Sequence, residues 1–309
     1  MSSISILMST YNGEKYILEQ LDSLRVQKRV ADEVIIIDDA STDRTAQIVE
    51  EYLDRYNLKN WKIYVNQKNQ GWQNNFLQGL QQCSGEYIFT CDQDDIWEPF
   101  KIQEMSEILD QNKQILLLAS NYKSFYQKDG VITREEEMAD EGTIEKYPFN
   151  EQLLFIRRPG CVYAIRKSLL SYIDMYAFDK YPHDAFLWRT ALMLDGLYIY
   201  NRMTIRYRRH EQTATGREKK SGVHKVETMR YYVKVLASMQ RFVEREDISD
   251  KSEKLRYIMA AQQWCRYRLK ALIDADIFAW VKLLQYRKYY YNNVSWLADL
   301  LMLNDYKNQ

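Results

Sequence analysis

The chain holds only four cysteines, Cys83, Cys91, Cys161 and Cys265, in 309 residues. No two form a CxxC pair and none has the spacing of a metal-ligand set, so they read as small core residues in a reducing compartment. Long hydrophobic runs are missing as well. None reaches about 18 residues, so no membrane-crossing helix is expected. The start, Met1-Ser2-Ser3-Ile4, carries no basic stretch, and no signal peptide is expected. There is no G-x-G-x-x-G and no G-x-x-x-x-G-K-[ST], which removes the dinucleotide fingerprint and the P-loop. Internal repeats and low-complexity segments are absent. The expectation is a cytoplasmic protein, or one lying peripherally on the inner face of a membrane.

What is present is the composition of a folded protein, 46% hydrophobic and 28% charged. The formal net charge is zero, yet it is unevenly spread. Residues 1–200 carry about ten excess negative charges and 201–309 about ten excess positive ones. A basic C-terminal part suggests an anionic partner. With no nucleic-acid motif, a membrane surface or a polyanionic acceptor is expected there, and no nucleic acid.

Apolar strand-like runs alternate with helical spacing. Ile4 to Met8 reads as a buried strand leading into the polar turn Thr10–Glu14. Glu33 to Ile37 is a second strand, ending in Asp38-Asp39-Ala40-Ser41-Thr42-Asp43, with Ser41 or Thr42 as cap of the next helix. Trp61 to Val65, the run Tyr87 to Cys91, and Ile115 to Ala119 are further strands. Tyr122–Tyr126 and Val131–Thr133 flank a hairpin turn, and Glu135–Glu145 reads as a mobile acidic loop. Pro182 to Trp188 opens a helix. The pattern predicts an α/β fold with a mainly parallel sheet flanked by helices, followed from about Gly222 by a helical C-terminal segment. In that segment Tyr232, Val233, Leu236 and Val243 share one face, and Ile258, Ala261, Cys265, Leu269 and Leu272 another. Ligands of such sheets bind beyond the carboxyl ends of the strands, so the acidic turns should lie near one another.

Asp92-Gln93-Asp94-Asp95 places three carboxylates in four residues at the end of a buried strand. Two readings are open. A divalent cation with a diphosphate would neutralise the cluster, since hard cations take carboxylate oxygens. Alternatively the residues form a solvated turn capping a helix near Glu98.

Three stretches occur together in order: Ile6-Leu7-Met8-Ser9-Thr10-Tyr11-Asn12, Val34-Ile35-Ile36-Ile37-Asp38-Asp39-Ala40-Ser41-Thr42-Asp43 and Asp92-Gln93-Asp94-Asp95-Ile96-Trp97. In these the chain resembles the family 2 glycosyltransferases, inverting enzymes of GT-A fold that use nucleotide-diphosphate sugars. Gly160, the His183-Asp184 pair with Trp188, and Tyr207-Arg208-Arg209-His210 are similar to a subgroup that includes bacterial rhamnosyltransferases. The resemblance implies a catalytic domain over 1–222, with the donor held by 1–120 and the acceptor side in 121–222. A helical segment, 223–309, follows.

It implies donor contacts at Thr10, Tyr11, Glu14, Asp39, Asp92, Gly160 and Arg209, and Mg2+ or Mn2+ at Asp92 and Asp94 with Asp95 bracing the loop. His210 is implied as a third metal ligand; otherwise it is a surface histidine, and Arg208 and Arg209 neutralise the diphosphate directly. Tyr11 can stack on the base and Asp39 can accept from its N–H. Asp184 is the candidate general base, with His183 as rival and a helix-capping role as the alternative. The implied donor is dTDP-rhamnose, with UDP-hexoses next. The implied acceptor is a glycan or lipid-linked saccharide in cell-surface polysaccharide synthesis. A non-catalytic sugar-nucleotide-binding module or a metal-dependent nucleotidyltransferase are the competing classes. The latter should show a basic Gly-rich loop after the first strand, where this chain has only Lys15. The basic, aromatic-rich segment 223–309, with Trp264, Trp280, Tyr289, Tyr290, Tyr291 and Trp296, suggests membrane contact or a homodimer through its helices.

Overall fold

The computed structural model describes residues 2–128, 131–209 and 221–303. The chain forms two compact units: Met1–Tyr147, Ile156–Ala191 and Gly196–Ala214 make the first, and Pro148–Phe155, Leu192–Asp195 and Thr215–Gln309 the second.

In the first unit, β1 (Ile4–Thr10), α1 (Ile17–Arg25), β2 (Glu33–Asp38), α2 (Thr45–Tyr56), β3 (Trp61–Val65), α3 (Trp72–Gln82) and β4 (Tyr87–Asp92) alternate as the apolar pattern predicts. A two-residue β5 (Ile96–Trp97), α4 (Lys101–Gln111), β6 (Leu117–Lys128), β7 (Val131–Glu137) and β8 (Ile144–Lys146) follow. Then come β9 (Tyr163–Arg166), α5 (Ile173–Tyr176), α6 (His183–Met193) and β10 (Leu197–Arg209). The sheet order is β3-β2-β1-β4-β9-β6-β10-β5, with β7 on β6 and β8 on β10. Strands β3, β2, β1 and β4 are mutually parallel, whereas β9 lies antiparallel between β4 and β6. β1, β2 and β4 are near-continuous buried runs because helices cover such a sheet on both faces, whereas β3 at its edge is mostly exposed.

Three local expectations are corrected. The segments Ile115–Ala119 and Tyr122–Tyr126 are not separate strands. β6 runs through Ser120 and Asn121, whose polar side chains find partners at Thr204 Oγ1 (2.6 Å) and the Ala139 carbonyl (2.7 Å). Nor is Glu135–Glu145 wholly a loop. Glu135 to Glu137 belong to β7, where Lys123 across the ladder lies 2.9 and 3.0 Å from Glu135 and Glu137. Ser41 and Thr42 do not cap α2; the carboxylate of Asp43 accepts the Thr45 N–H instead (2.9 Å).

The second unit contains α7 (Gly222–Arg245), α8 (Lys251–Asp274), α9 (Ile277–Lys282), a 3-10 stretch (Leu283–Tyr289) and α10 (Asn293–Leu301). α7 packs on α8 through Leu236, Met239, Phe242 and Val243 on one helix and Ile258, Ala261, Trp264 and Cys265 on the other. Val233 is exposed, not part of that face. Asp299 is buried and receives Arg268 through two guanidinium nitrogens (2.6 and 2.9 Å), Lys225 (2.8 Å) and the Tyr290 hydroxyl (2.8 Å). Trp264, Tyr289 and Tyr290 are buried, and of the six aromatics named for this segment only Tyr291 is largely exposed. Among the described residues no helix is long and apolar enough to cross a membrane.

Candidate active site

The register of the parallel strands sets their ends side by side: Thr10 lies opposite Asp38, and Ser9 opposite Asp92. The turns that follow are laced together. Thr10 is buried, and its hydroxyl donates to Asp38 (2.8 Å). Asp38 also accepts from the Ser41 N–H and hydroxyl (2.8 and 2.6 Å). Asn12 adopts a left-handed backbone (φ 48°); its N–H donates to Ser41 Oγ (2.9 Å) and its side-chain oxygen accepts the Thr42 N–H (2.8 Å). The Glu14 carboxylate accepts the Arg44 N–H (3.0 Å), and its own N–H donates to Asp43 (3.1 Å). The Asp39 carboxylate, also buried, accepts from the Asn66 side chain and from the N–H groups of Gln70 and Gly71, each at 2.9 Å. It thereby fixes the loop that enters α3, where Gly71 takes φ +83°.

The Gln93 side chain joins the third turn to the first. It accepts the Tyr11 N–H (2.8 Å) and donates to the Tyr11 carbonyl (3.0 Å). Gly13 leaves the space that Gln93 occupies, because a Cβ there would collide with the amide. The Tyr11 ring itself is 44% exposed beside these strand ends.

Behind the acidic turn stands Arg208, only 1% exposed. Its N–H donates to Asp95 (2.9 Å), its Nε to the Asp94 carbonyl (2.7 Å) and a terminal nitrogen to Glu19 (2.7 Å). The guanidinium also lies 4.6 Å from the Tyr16 and Phe125 ring centres. Arg208 is therefore a brace for the turn, which corrects the expectation that it meets a diphosphate directly. Asp92 and Asp94 are half-buried and Asp95 is buried. Burial, with Asp94 and Asp184 nearby, pushes Asp92 up to about 7. Burial, with Asp94 and Asp92 nearby, lifts Asp95 well above the carboxylate range. Lys101, buried under the turn, is pushed down to about 8 by burial, and its ammonium donates to Thr204 (3.2 Å).

Among the described residues, Asp92, Asp95 and Cys161 form a group whose ligand atoms lie within 4.8 Å of one another; Asp94 is not in that trio. Burial holds the Cys161 thiol protonated, which makes it a poor ligand for a hard cation. One Asp95 oxygen is buried with no hydrogen-bond partner among the described residues. A crowd of carboxylates with an orphaned oxygen is an environment that a divalent cation fits. His210 lies outside the described residues.

Asp184 is the second residue of α6, where the unpaired N–H groups of a first turn favour negative charge. Its carboxylate accepts the Ala185 N–H (2.6 Å). His183 is 3% exposed, stacked on Phe76 at 3.8 Å between centroids and met edge-on by Trp72 at 6.1 Å. Neither ring nitrogen has a partner among the described residues, and burial pushes the imidazole down to about 4. Gly160 opens a 3-10 turn against this helix start: a Cβ there would lie 2.9 Å from the Asp184 Cβ and from His183 Nε2. Its contribution is close approach. Arg209 ends β10 with its guanidinium 4.6 Å from the Tyr207 ring centre.

The structure thus brings Thr10, Tyr11, Glu14 and Asp39 into one set of laced turns. Asp94 and Asp184 lie near enough to Asp92 to raise it, and Gly160 abuts Asp184. Sequence reasoning missed Gln93 as the clasp between turns. Its one signal was its place between two aspartates, which says nothing of a partner 82 residues away.

A parallel β3-β2-β1-β4 half with acidic turns at its strand ends, continued by a mixed sheet, is the architecture of the GT-A glycosyltransferases. Residues 5–171 match the family model described as glycosyl transferase family 2, and the chain belongs to that family. Among its relatives is the poly(ribitol-phosphate) beta-N-acetylglucosaminyltransferase TarS of Staphylococcus aureus, 32% identical over 57% of this chain. The matched stretch spans only 30% of the length of TarS. The dTDP-rhamnosyl transferase RfbG of Shigella flexneri is 32% identical over 68% of this chain and 73% of its own length. The structure of TarS residues 1–349 with UDP-GlcNAc covers 97% of this chain and 81% of its own, with a TM-score of 0.63 at 20% identity. The mannosyltransferase PcManGT of Pyrobaculum calidifontis, in complex with GDP-Man and Mn2+, covers 99% of this chain and 86% of its own, with a TM-score of 0.58 at 14% identity.

Proposed function

We propose that the first unit is the catalytic domain of a cytoplasmic inverting glycosyltransferase. It moves a sugar from a nucleoside diphosphate sugar to a hydroxyl of a glycan or lipid-linked saccharide in cell-surface polysaccharide synthesis. The observation that carries the reading is the meeting of the strand-end turns, where Asp92 and Asp95 have ligand atoms within 4.8 Å of one another and Asp94 and Asp184 lie close enough to raise Asp92. Inversion needs a proton acceptor on the face of the anomeric carbon opposite the leaving group, and charge stabilisation where that group departs; in this reading the helix-start carboxylate serves the first and the two carboxylates of the acidic turn the second.

In this reading Tyr11 stacks on the base. Asp39 has three of about four carboxylate acceptor sites filled, which leaves one for the base N–H. Thr10 and Glu14 shape the turns that hold the donor, and Arg209 faces the diphosphate. Asp184 takes the proton of the acceptor hydroxyl while that oxygen bonds to the anomeric carbon on the face opposite the diphosphate. The bond from that carbon to the diphosphate oxygen breaks, and the nucleoside diphosphate leaves with the electron pair. Mg2+ or Mn2+ held by Asp92 and Asp94, with His210 as a further ligand, would supply Lewis-acid stabilisation of the departing charge. His183 is a poor rival base, since an imidazole held near pKa 4 by burial accepts protons weakly at neutral pH.

RfbG supports dTDP-rhamnose as the donor. TarS and its complex with UDP-GlcNAc favour a UDP-hexose as the second reading, and PcManGT supports a divalent cation. The test is release of nucleoside diphosphate from dTDP-rhamnose, UDP-glucose, UDP-galactose and UDP-N-acetylglucosamine, with Mg2+ or Mn2+ and with EDTA. The expected result is one preferred donor, cation-dependent release, and loss of most release in Asp94→Asn. Release unaffected by EDTA and by Asp94→Asn would remove the cation, and no release from any donor would favour a binding module.

A further inference from the structure

Among the described residues, nine of the 23 exposed large hydrophobic side chains fall between residues 277 and 301, and the catalytic reading uses none of them. On α9 and the 3-10 stretch that continues it, Ile277, Phe278, Val281 and Leu284 recur at helical spacing along one side. On α10, Val294, Leu297, Leu300 and Leu301 do the same. Trp280 and Trp296 tie the two helices together. Their rings stack with centroids 4.3 Å apart, and each indole N–H donates to the carbonyl of the other residue (3.2 and 3.4 Å).

Charge on this stretch is of one sign. Between 277 and 303 the charged residues are Lys282, Arg287, Lys288 and Asp299. Asp299 is buried and neutralised by Arg268 and Lys225, so the exposed charges are three cations. A two-fold contact between copies through this face would set those cations against the same three on the other copy, which disfavours self-association. Acidic neighbours are matched by cations, Asp276 by Lys270 (2.9 Å) and Glu151 by Lys288 (3.6 Å), so exposed aliphatic side chains and a phenylalanine beside Lys282 and Arg287 match the boundary between headgroups and acyl chains of an anionic bilayer.

We propose that the face formed by α9, the following 3-10 stretch and α10 docks onto an anionic lipid surface. Phe278, Val281, Leu297 and Leu301 enter the boundary, and Lys282 and Arg287 meet the lipid phosphates, with Lys288, now 3.6 Å from Glu151, exchanging that carboxylate for a phosphate. This inference is independent of the transferase reading, because its test contains no donor.

The full chain is sedimented with phosphatidylcholine vesicles, with and without phosphatidylserine. Co-sedimentation is expected only with phosphatidylserine and is expected to fall steeply between about 0.1 M and 1 M salt, as screening shortens. The pair Phe278→Ser, Leu301→Ser should weaken it about tenfold or more, since two buried apolar side chains are lost from the contact. Those side chains are 79% and 83% exposed, so the fold, checked by circular dichroism, should be unaffected. The pair Lys282→Gln, Lys288→Gln should weaken binding without touching an apolar contact. Met259→Ser, at an exposed apolar position on α8, should leave it unchanged. Absence of vesicle binding, an equal loss in Met259→Ser, or a salt-resistant dimer dissolved by the serine pair would each overturn the proposal.

Discussion

Asp184 and His183 are neighbours in sequence with opposite environments, and that contrast sets their roles. Asp184 is half-buried at the first turn of α6, close enough to Asp92 to raise it. Asp184→Asn should lower kcat by about 10²–10⁴, the usual worth of a general base, with donor affinity little changed; steady-state kinetics against donor concentration check this. A parallel loss of donor binding would mark Asp184 as structural. His183 gives a pH signature. Its folded value of about 4 lies below an unfolded value of about 6.5. Below 6.5 the unfolded chain binds a proton that the folded chain refuses, so stability is complete above 6.5 and falls as pH drops towards 4. A shift of this size corresponds to about 3 kcal/mol. Denaturant titrations between these pH values should show the slope, and His183→Phe, which preserves stacking on Phe76, should reduce it. The residue types at the site were legible, because acidic turns after apolar strands are visible in one dimension. The buried stack of His183 was not. Nothing in the order Pro182-His183-Asp184 says that Phe76 and Trp72 lie against the ring.

The elements hold the site by clasps that cross the sheet ends. Gln93→Ala removes both hydrogen bonds to the Tyr11 backbone. Exposed hydrogen bonds are worth about 1 kcal/mol each, so KM for the donor should rise several-fold to about thirtyfold with kcat changed less. Gly13→Ala should act in the same direction by displacing the Gln93 amide. A fall in kcat with unchanged KM would contradict a clasp role. In the second unit, Asp299 joins α7, α8, the 3-10 stretch and α10 through Lys225, Arg268 and Tyr290. Asp299→Ala leaves the Arg268 guanidinium buried without its counter-charge and should cost about 3–5 kcal/mol, read as a lowered midpoint of thermal or urea unfolding. The strands and helices were legible where period and burial agree, as in β1, β2, α7 and α8. They were misread where polar residues sit inside a strand. Ser120 and Asn121 interrupt the apolar pattern of β6, yet their hydrogen bonds to Thr204 and Ala139 satisfy them in place. Glu135 to Glu137 look like loop until Lys123 is found across the ladder.

Across the whole molecule, the segregation of charge in the sequence acquires a structural counterpart. The acidic excess of residues 1–200 includes the strand-end turns. The basic excess beyond residue 200 includes the exposed cations of 277–303, where aliphatic side chains rather than the counted tryptophans and tyrosines form the outer face. Composition gave the sign of that segment but could not separate Trp264 and Tyr290, which are core, from Phe278 and Leu301, which are not. The central claim is that Asp184 works opposite a leaving group stabilised at Asp92 and Asp94. The measurement that tests it most directly is the anomeric configuration of the sugar first released when water replaces the acceptor, followed by proton NMR before mutarotation. The account predicts a first-formed sugar of configuration opposite to that in the donor, produced by the wild-type protein and lost in Asp184→Asn. A product that retains the donor configuration, or inverted product formed equally well by Asp184→Asn, would contradict it.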